Sequence, residues 1–248
     1  MSFNRPKFIP REKLANYDYA KLSKKIDEAN KVIFSLLQAS SHNLIAYSGG
    51  KDCIVMTDLV RKQGIKDAVC EMSFTFKMAQ EDIKKSSKHF DLNLSYTNGM
   101  SWDFLRRNQE YCAPVIKLQS KVYTMRQQKS VKGFAKKNKY TGIVYGRRTE
   151  ENTVRKPLYQ LANGQWQCHP LRDWTLEDVW AYIYKFNLPY PRLYHTEIGN
   201  KEGFTPYLLI PQNFDNVWKA IFEVEPDVVY KFAEFHTPAQ KYLENRNL

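Results

Sequence analysis

The chain has 248 residues, 43% hydrophobic and 14% aromatic, which suits one generous domain or a core with helical additions. Its 38 Lys and Arg against 26 Asp and Glu give a formal net charge of +12, a field suited to anionic ligands. No apolar run is long enough to cross a bilayer, and the opening M-S-F-N-R-P-K-F-I-P-R-E-K lacks the apolar segment of a secretory leader, so a cytoplasmic protein with no membrane partner is expected.

Apolar spacing predicts a helix over 20–37, then a buried strand over 43–47 that runs into Y-S-G-G-K-D-C. A helix over 53–62, a strand over 68–76, a helix over 80–90 and a strand over 92–97 follow. Helices over 102–109 and 118–137 precede a strand over 141–145. Strands alternating with helices point to an α/β fold with a parallel sheet. Beyond Gly199, Pro and Gly punctuate the chain, and helices are expected over 215–222 and 227–244. The four cysteines, Cys53, Cys70, Cys112 and Cys168, form no C-x-x-C pair. That spacing disfavours a zinc ribbon, an iron–sulfur site or a disulfide framework.

The turn between the first strand and its helix carries Ser48, Gly49, Gly50, Lys51 and Asp52. Glycines let backbone approach a ligand, and a helix start offers N–H groups and a favourable dipole to an anion. A phosphate is the expected guest, with Lys51 exposed in the absence of ligand. The pattern is neither a Walker A loop, which needs Ser or Thr where Asp52 stands, nor a dinucleotide G-x-G-x-x-G. Asp52 is read either as a helix cap or as a magnesium ligand. Downstream, G-R-R-T-E-E-N-T-V-R (146–155) places Arg147, Arg148 and Arg155 after a strand end. They are read as a bidentate phosphate or sulfate clamp, or as a surface helix start with ion pairs. Glu151 is read as orienting an arginine or accepting from a ribose hydroxyl. No acidic residue lies between Tyr111 and Thr149. The lysines and arginine of 117–139 form either a solvated basic face or a track for a nucleic-acid backbone.

The stretch S-G-G-K-D-C resembles the S-G-G-K-D-S pyrophosphate loop of the ATP pyrophosphatase (PP-loop, adenine nucleotide alpha hydrolase-like) superfamily. Residues 146–155 resemble the G-x-R-x-x-E-S-x-x-R segment of the phosphoadenylyl-sulfate (PAPS) reductase-like family, with Gly146, Arg148, Glu151 and Arg155 on its fixed positions. Residues 169–194, H-P-L-R-D-W-T-L-E-D-V-W-A-Y-I-Y-K-F-N-L-P-Y-P-R-L-Y, resemble that family's P-L-x-x-W segment and its D-V-W-x-Y-I continuation. The small subunit of ATP sulfurylase carries similar stretches. In the third stretch Trp174, Val179, Trp180, Ile183 and Leu188 read as core, Asp173 or Thr175 as a cap, and Asp173 as a neighbour of the nucleotide.

The resemblance implies a doubly wound, mostly parallel sheet with helices on both faces. It divides the chain into an N-terminal helical segment (1–40), a PP-loop nucleotide-binding domain (41–204) and a C-terminal helical appendage (205–248). It further implies an enzyme that cleaves ATP between the α and β phosphates and adenylylates an acceptor, with Mg2+ as helper. Lys51, Asp52, Arg148 and Arg155 are then the catalytic candidates, and Asp52 the metal candidate. Ser48, Gly49, Gly50, Lys51, Asp52, Cys53, Gly146, Arg147 and Glu151 are the nucleotide candidates. The departures favour this over reduction of PAPS or adenylyl sulfate (APS). Cys53 and Asn152 stand where serines are usual, I-G-N (198–200) replaces I-G-C, and no cysteine follows Cys168. A reductase would need a partner protein's thiol or Cys112. A non-catalytic nucleotide- or nucleic-acid-binding regulator is the third reading.

Overall fold

Asn43–Ala46 forms strand β1 because both its faces find apolar company. Leu44 clusters with Val69, Ile143 and Tyr145, while Ile45 and Tyr47 join the main core on the opposite side. Such two-sided burial is the mark of a central parallel strand. The structure, a computed structural model, describes residues 6–72, 76–98, 101–107, 130–151, 156–202 and 217–246. The other strands are β2 (Asp67–Met72), β3 (Asn93–Asn98), β4 (Gly142–Val144), β5 (Tyr159–Ala162) and β6 (Gln165–Cys168). They form one sheet of order β3-β2-β1-β4-β6-β5, parallel throughout except that β5 runs antiparallel along β6. The order reverses between β1 and β4, so a crevice opens at the carboxyl ends of those two strands.

Helix α1 (Tyr19–Ala39) starts at Asp18, whose carboxylate accepts from the N–H groups of Ala20 and Lys21. Helix α2 (Lys51–Lys62) is buried on nearly all sides, with Ile54, Val55, Met56, Leu59 and Val60 in the main core. Helix α3 (Lys77–His89) sends Ile83 into the same core, and α4 spans Trp102–Arg107. Helix α5, described over 130–137, covers the other face through Val131, Phe134 and Ala135. Helix α6 (Leu176–Lys185) buries Val179, Trp180 and Ile183. A short α7 (Glu197–Glu202) follows, then α8 (Val217–Val224), α9 (Pro226–Ala233) and α10 (Thr237–Arg246). These last three share a second cluster with Phe76, Leu105, Leu193 and Ile198. No helix among the described residues is long and apolar enough to cross a membrane.

The doubly wound α/β architecture agrees with expectation, and the differences are local. No element was expected between 156 and 168, yet a hairpin forms there. Asn163 and Gly164 turn it with φ of 53° and 74°, the pairing of residues that two-residue hairpin turns select. The helix expected over 227–244 is two helices, because Pro238 has no N–H to continue the ladder and instead sits in the first turn of α10. Of the strand expected over 68–76, residues 68–72 lie in β2, 73–75 lie outside the described residues, and Phe76 already precedes α3.

The segment ahead of α1 straps across α6. Phe8 packs edge-on against Trp180 with centroids 5.0 Å apart, the Trp180 indole N–H donates to the Lys7 carbonyl at 3.0 Å, and the Tyr184 hydroxyl donates to the Ile9 carbonyl at 2.6 Å. Below the strap lies Asp178, fully buried. It accepts from the Thr175 N–H at 2.7 Å and the Tyr17 hydroxyl at 2.5 Å, and pairs with Lys25 at 2.6 Å. Burial pushes its carboxyl up, but the bonds from Lys25, Thr175 and Tyr17 outweigh that and hold it below the usual carboxylate range. A carboxyl lowered in this way stabilises the fold at neutral pH and loses that contribution as the pH falls through its folded value. Asp178→Asn should therefore cost about 3 kcal/mol at pH 7. The gap to wild type should close below about pH 4. Urea denaturation at pH 7, 5 and 3 checks both; equal midpoints at pH 7 would refute the tie.

Candidate functional site

Strand β1 hands over to α2 through the Tyr47–Gly50 turn, at the crevice where the strand order reverses. Gly49 has φ of 76°, a conformation that side-chain-bearing residues rarely adopt, and Gly50 caps the helix. The Ser48 N–H donates to Cys53 Sγ at 3.2 Å, so the residue in the usual serine position braces the turn from below. Cys53 is buried and its thiol is raised by that burial, the opposite of an activated thiolate. The Lys51 N–H donates to the Tyr194 hydroxyl at 3.2 Å. The next N–H groups of α2, on Asp52 and Cys53, have no backbone acceptor among the described residues and carry the positive end of the helix dipole.

Lys51 is not exposed, as the sequence led one to expect, but 3% accessible. Its ammonium turns to Asp52 at 2.6 Å and Glu151 at 3.1 Å. Burial opposes its charge, yet Asp52 and Glu151 more than offset that and keep the group firmly protonated. Arg148, 2% accessible, is the hub: its guanidinium reaches Asp52 at 2.5 Å, Glu150 at 2.5 Å and Glu151 at 2.9 Å. Glu150 in turn accepts from the Leu176 N–H at 2.8 Å, at the start of α6. Asp52 stays ionised below the usual range despite burial, because Arg148 and Lys51 flank it.

The metal candidate, Asp52, is held by cations in this arrangement. Both Asp52 oxygens already face a cation, and no group of three His, Cys, Asp or Glu suited to a metal occurs among the described residues. The residues present do not fit a magnesium ion on Asp52. Glu151 pairs with both Arg148 and Lys51. Gly146 is a glycine for a steric reason: a Cβ there would lie 3.1 Å from the Asp52 carbonyl oxygen. Arg155, Asn152 and Cys112 lie outside the described residues. Arg147 points away from the acidic hub, with its guanidinium 4.8 Å from the Tyr145 ring centroid. Asp173 is exposed and paired with Arg172, and Thr175 rather than Asp173 caps α6, in a capping box with Asp178.

Three residues that sequence reasoning did not single out stand out in the structure. Glu150 and Tyr194 complete the surroundings of Lys51 and Arg148. Tyr194 was visible only as the last letter of the third stretch. His169, the first letter of that stretch, follows β6 and is 1% accessible, stacked on Tyr145 at 5.4 Å and 21°. Among the described residues, neither of its ring nitrogens has a hydrogen-bond partner.

The family model described as the phosphoadenosine phosphosulfate reductase domain matches residues 42–223. An uncharacterized protein of Methanocaldococcus jannaschii is 29% identical over 163 residues, 60% of this chain and 37% of that protein's length. Among solved structures, phosphoadenylyl-sulfate reductase from Candida auris, in a phosphate complex, superposes with a TM-score of 0.54 at 15% identity, covering 75% of this chain and 91% of its own. The NH3-dependent NAD synthetase from Campylobacter jejuni gives 0.49 at 11% identity, over 92% of this chain and 93% of its own. At 15% identity the likeness to the reductase is one of fold, the adenine nucleotide alpha hydrolase-like α/β sheet.

Neighbouring arginines with such different surroundings should respond differently to removal. Arg148→Met leaves three carboxylates without their hub and should cost about 3–5 kcal/mol of stability. Arg147→Met should stay within about 0.5 kcal/mol of wild type. Chemical denaturation of both variants checks the contrast, and equal losses would contradict it.

Proposed function

The chain belongs to the phosphoadenosine phosphosulfate reductase domain family, and from that premise we propose an enzyme that binds ATP and cleaves it between the α and β phosphates, transferring the adenylyl group to an acceptor. The observation that carries this reading is the Ser48–Cys53 turn at the switch point, with Gly49 at φ 76° and Gly50 capping α2. Helix N–H groups there would hold the β and γ phosphates. The Lys51 ammonium would exchange Glu151 for a phosphate oxygen. Arg148 would act through Asp52, holding the helix start in place. An acceptor oxygen attacks the α phosphorus, the bond to the bridging oxygen breaks, and pyrophosphate leaves with that electron pair. Such a step needs positioning and charge stabilisation more than covalent chemistry.

The family's namesake reduction requires a reactive thiol. Cys53, Cys70 and Cys168 are buried, and burial raises all three, Cys70 and Cys168 to about 12. That leaves Cys112 or a partner protein's thiol for the reductase reading. A nucleic-acid acceptor is favoured by one observation: Lys136, Lys137 and Lys139 are exposed along and beyond α5, on a segment with no acidic neighbour in sequence.

Titration calorimetry with ATP, AMP, APS and PAPS, paired with a pyrophosphate-release assay across candidate acceptors, tests the reading. ATP should bind, and Gly49→Val should weaken it at least tenfold, about 1.4 kcal/mol. Wild-type affinity in that variant would remove the turn from the site. Sulfite release from PAPS, without pyrophosphate release from ATP, would replace adenylylation with reduction.

A further inference from the structure

Helix α1 buries one side through Leu22, Ala29, Ile33 and Leu36 and leaves a second, largely apolar stripe beside it. Tyr19, Ile26, Asn30 and Phe34 follow at intervals of seven, four and four residues, so they share a helix face. The last three border a groove of about 690 Å³, closed by Leu59 and Gln63 at the end of α2 and by Tyr182 and Phe186 at the end of α6. Phe34 is 58% accessible and Phe186 38%. Tyr19, 40% accessible, adjoins Phe186, since the Lys185 ammonium lies 5.7 Å from the centroid of each ring. These are three of the six large apolar side chains exposed among the described residues. Apolar side chains scattered singly over a surface need no explanation, but a contiguous patch marks a surface that meets something else.

The groove lies at the opposite end of α2 from the phosphate turn. Lys51 opens that helix and Lys62 closes it, so about 17 Å separate the two places. The surface therefore stands independently of the nucleotide reading. Its rim is cationic. Lys62 is held by Asp58 at 2.6 Å and lies 4.6 Å from the Phe186 ring centroid. Asp58 also accepts from the Tyr182 hydroxyl at 2.6 Å, so that carboxylate is already engaged. Lys31 and Lys185 are exposed, and neither has a carboxylate within ion-pair distance among the described residues. Lys31, Lys62 and Lys185 thus outnumber Asp58 and Asp27, which is exposed on α1.

We propose that this groove is a docking surface for an acidic amphipathic helix of another protein, its apolar stripe laid over Phe34, Phe186 and Tyr19 and its carboxylates on Lys31 and Lys185. The stripe from Tyr19 to Phe34 is about 22 Å long, the length of a helix of about 15 residues. A helix in such a groove is read through apolar anchors at i, i+3, i+4 and i+7. Charge selects the occupant. A second copy docked face to face would set Lys31, Lys62 and Lys185 against the same three lysines, on two chains that each carry a net charge of +12. Single-stranded nucleic acid would need free ring faces for its bases, and the ammonium groups of Lys62 and Lys185 already lie over Phe186 and Tyr19. Carboxylates on a partner helix would leave those ammonium groups where they are and add the missing counter-charge.

The test is a displayed library of random peptides of about 15 residues, selected on the whole chain and counter-selected on Phe34→Ser. Enriched sequences should carry Asp and Glu on one helix face and apolar residues at i, i+3, i+4 and i+7 on the other. A synthetic peptide of the enriched sequence, titrated calorimetrically, should bind wild type and lose about tenfold in affinity on Phe34→Ser. Lys31→Glu combined with Lys185→Glu should also weaken it about tenfold at low salt, and less in high salt, where surface charges are screened. All three positions are exposed, so each variant should keep the wild-type melting temperature, and the lysine pair keeps the test valid should Phe34→Ser fail to fold. No Phe34-dependent enrichment, enrichment of basic or non-periodic sequences, or unchanged affinity in the lysine double variant would each overturn the proposal. So would a self-association in sedimentation that Phe34→Ser abolishes, which would assign the groove to a second copy, or a single-stranded oligonucleotide whose binding depends on Phe34.

Discussion

One buried guanidinium decides where the crevice opens. Arg148 is held by carboxylates from the first turn of α2 and from its own neighbours, and one of those neighbours is tied to the first turn of α6. The end of β4, the start of α2 and the start of α6 are thereby fixed relative to one another. A charge this deep is tolerable only when its donors are all met, since a poorly partnered buried ion loses more hydration than it regains. The planar fork of arginine meets three acceptors at once, which a lysine ammonium on a flexible stem would not reproduce. Gly146 contributes by omission, letting the two chain segments close to backbone contact.

The hub also settles the electrostatic character of the turn. Asp52, Glu150 and Glu151 face Lys51 and Arg148, three negative charges against two positive. The lysine expected to wait for a phosphate is already engaged. Cationic reserve lies instead one strand further on, around Arg147. Arg147 and Arg148 are adjacent in an extended segment, and alternation of side chains sends one to the acids and the other over Tyr145. The same residue type therefore does two unrelated jobs.

The sequence made the fold legible where a signal was local. The two-sided apolar run of β1, the glycines that follow it and the spacing of α1 and α6 all announced themselves, and Trp174, Val179, Trp180, Ile183 and Leu188 are buried as expected. The β5–β6 hairpin was missed despite its Asn163–Gly164 turn, because its four-residue strands alternate too briefly to stand out beside longer helices. Nothing local announced the burial of Lys51, because Glu151 lies a hundred residues away and the pairing exists only once β4 lies beside β1. The cap on α6 was ambiguous for a related reason. Asp173 and Thr175 are both good capping residues, and the choice fell to Thr175 because its hydroxyl and Asp178 satisfy each other.

The strap formed by residues 7–9 bears on what counts as the folding unit. Kinship with the family is legible from residue 42 to residue 223, a span that begins at β1 and stops inside α8. A chain trimmed to those limits would lose Phe8 from the face of Trp180, the Lys7 carbonyl from its indole, and the whole of α1 from its place against α2 and β6. At the other end it would lose the two helices that close over Trp218. The part matched by the family and the part packed around it are thus different lengths of chain. The surplus at each end supplies walls for a core that the shared segment, taken alone, leaves open to water.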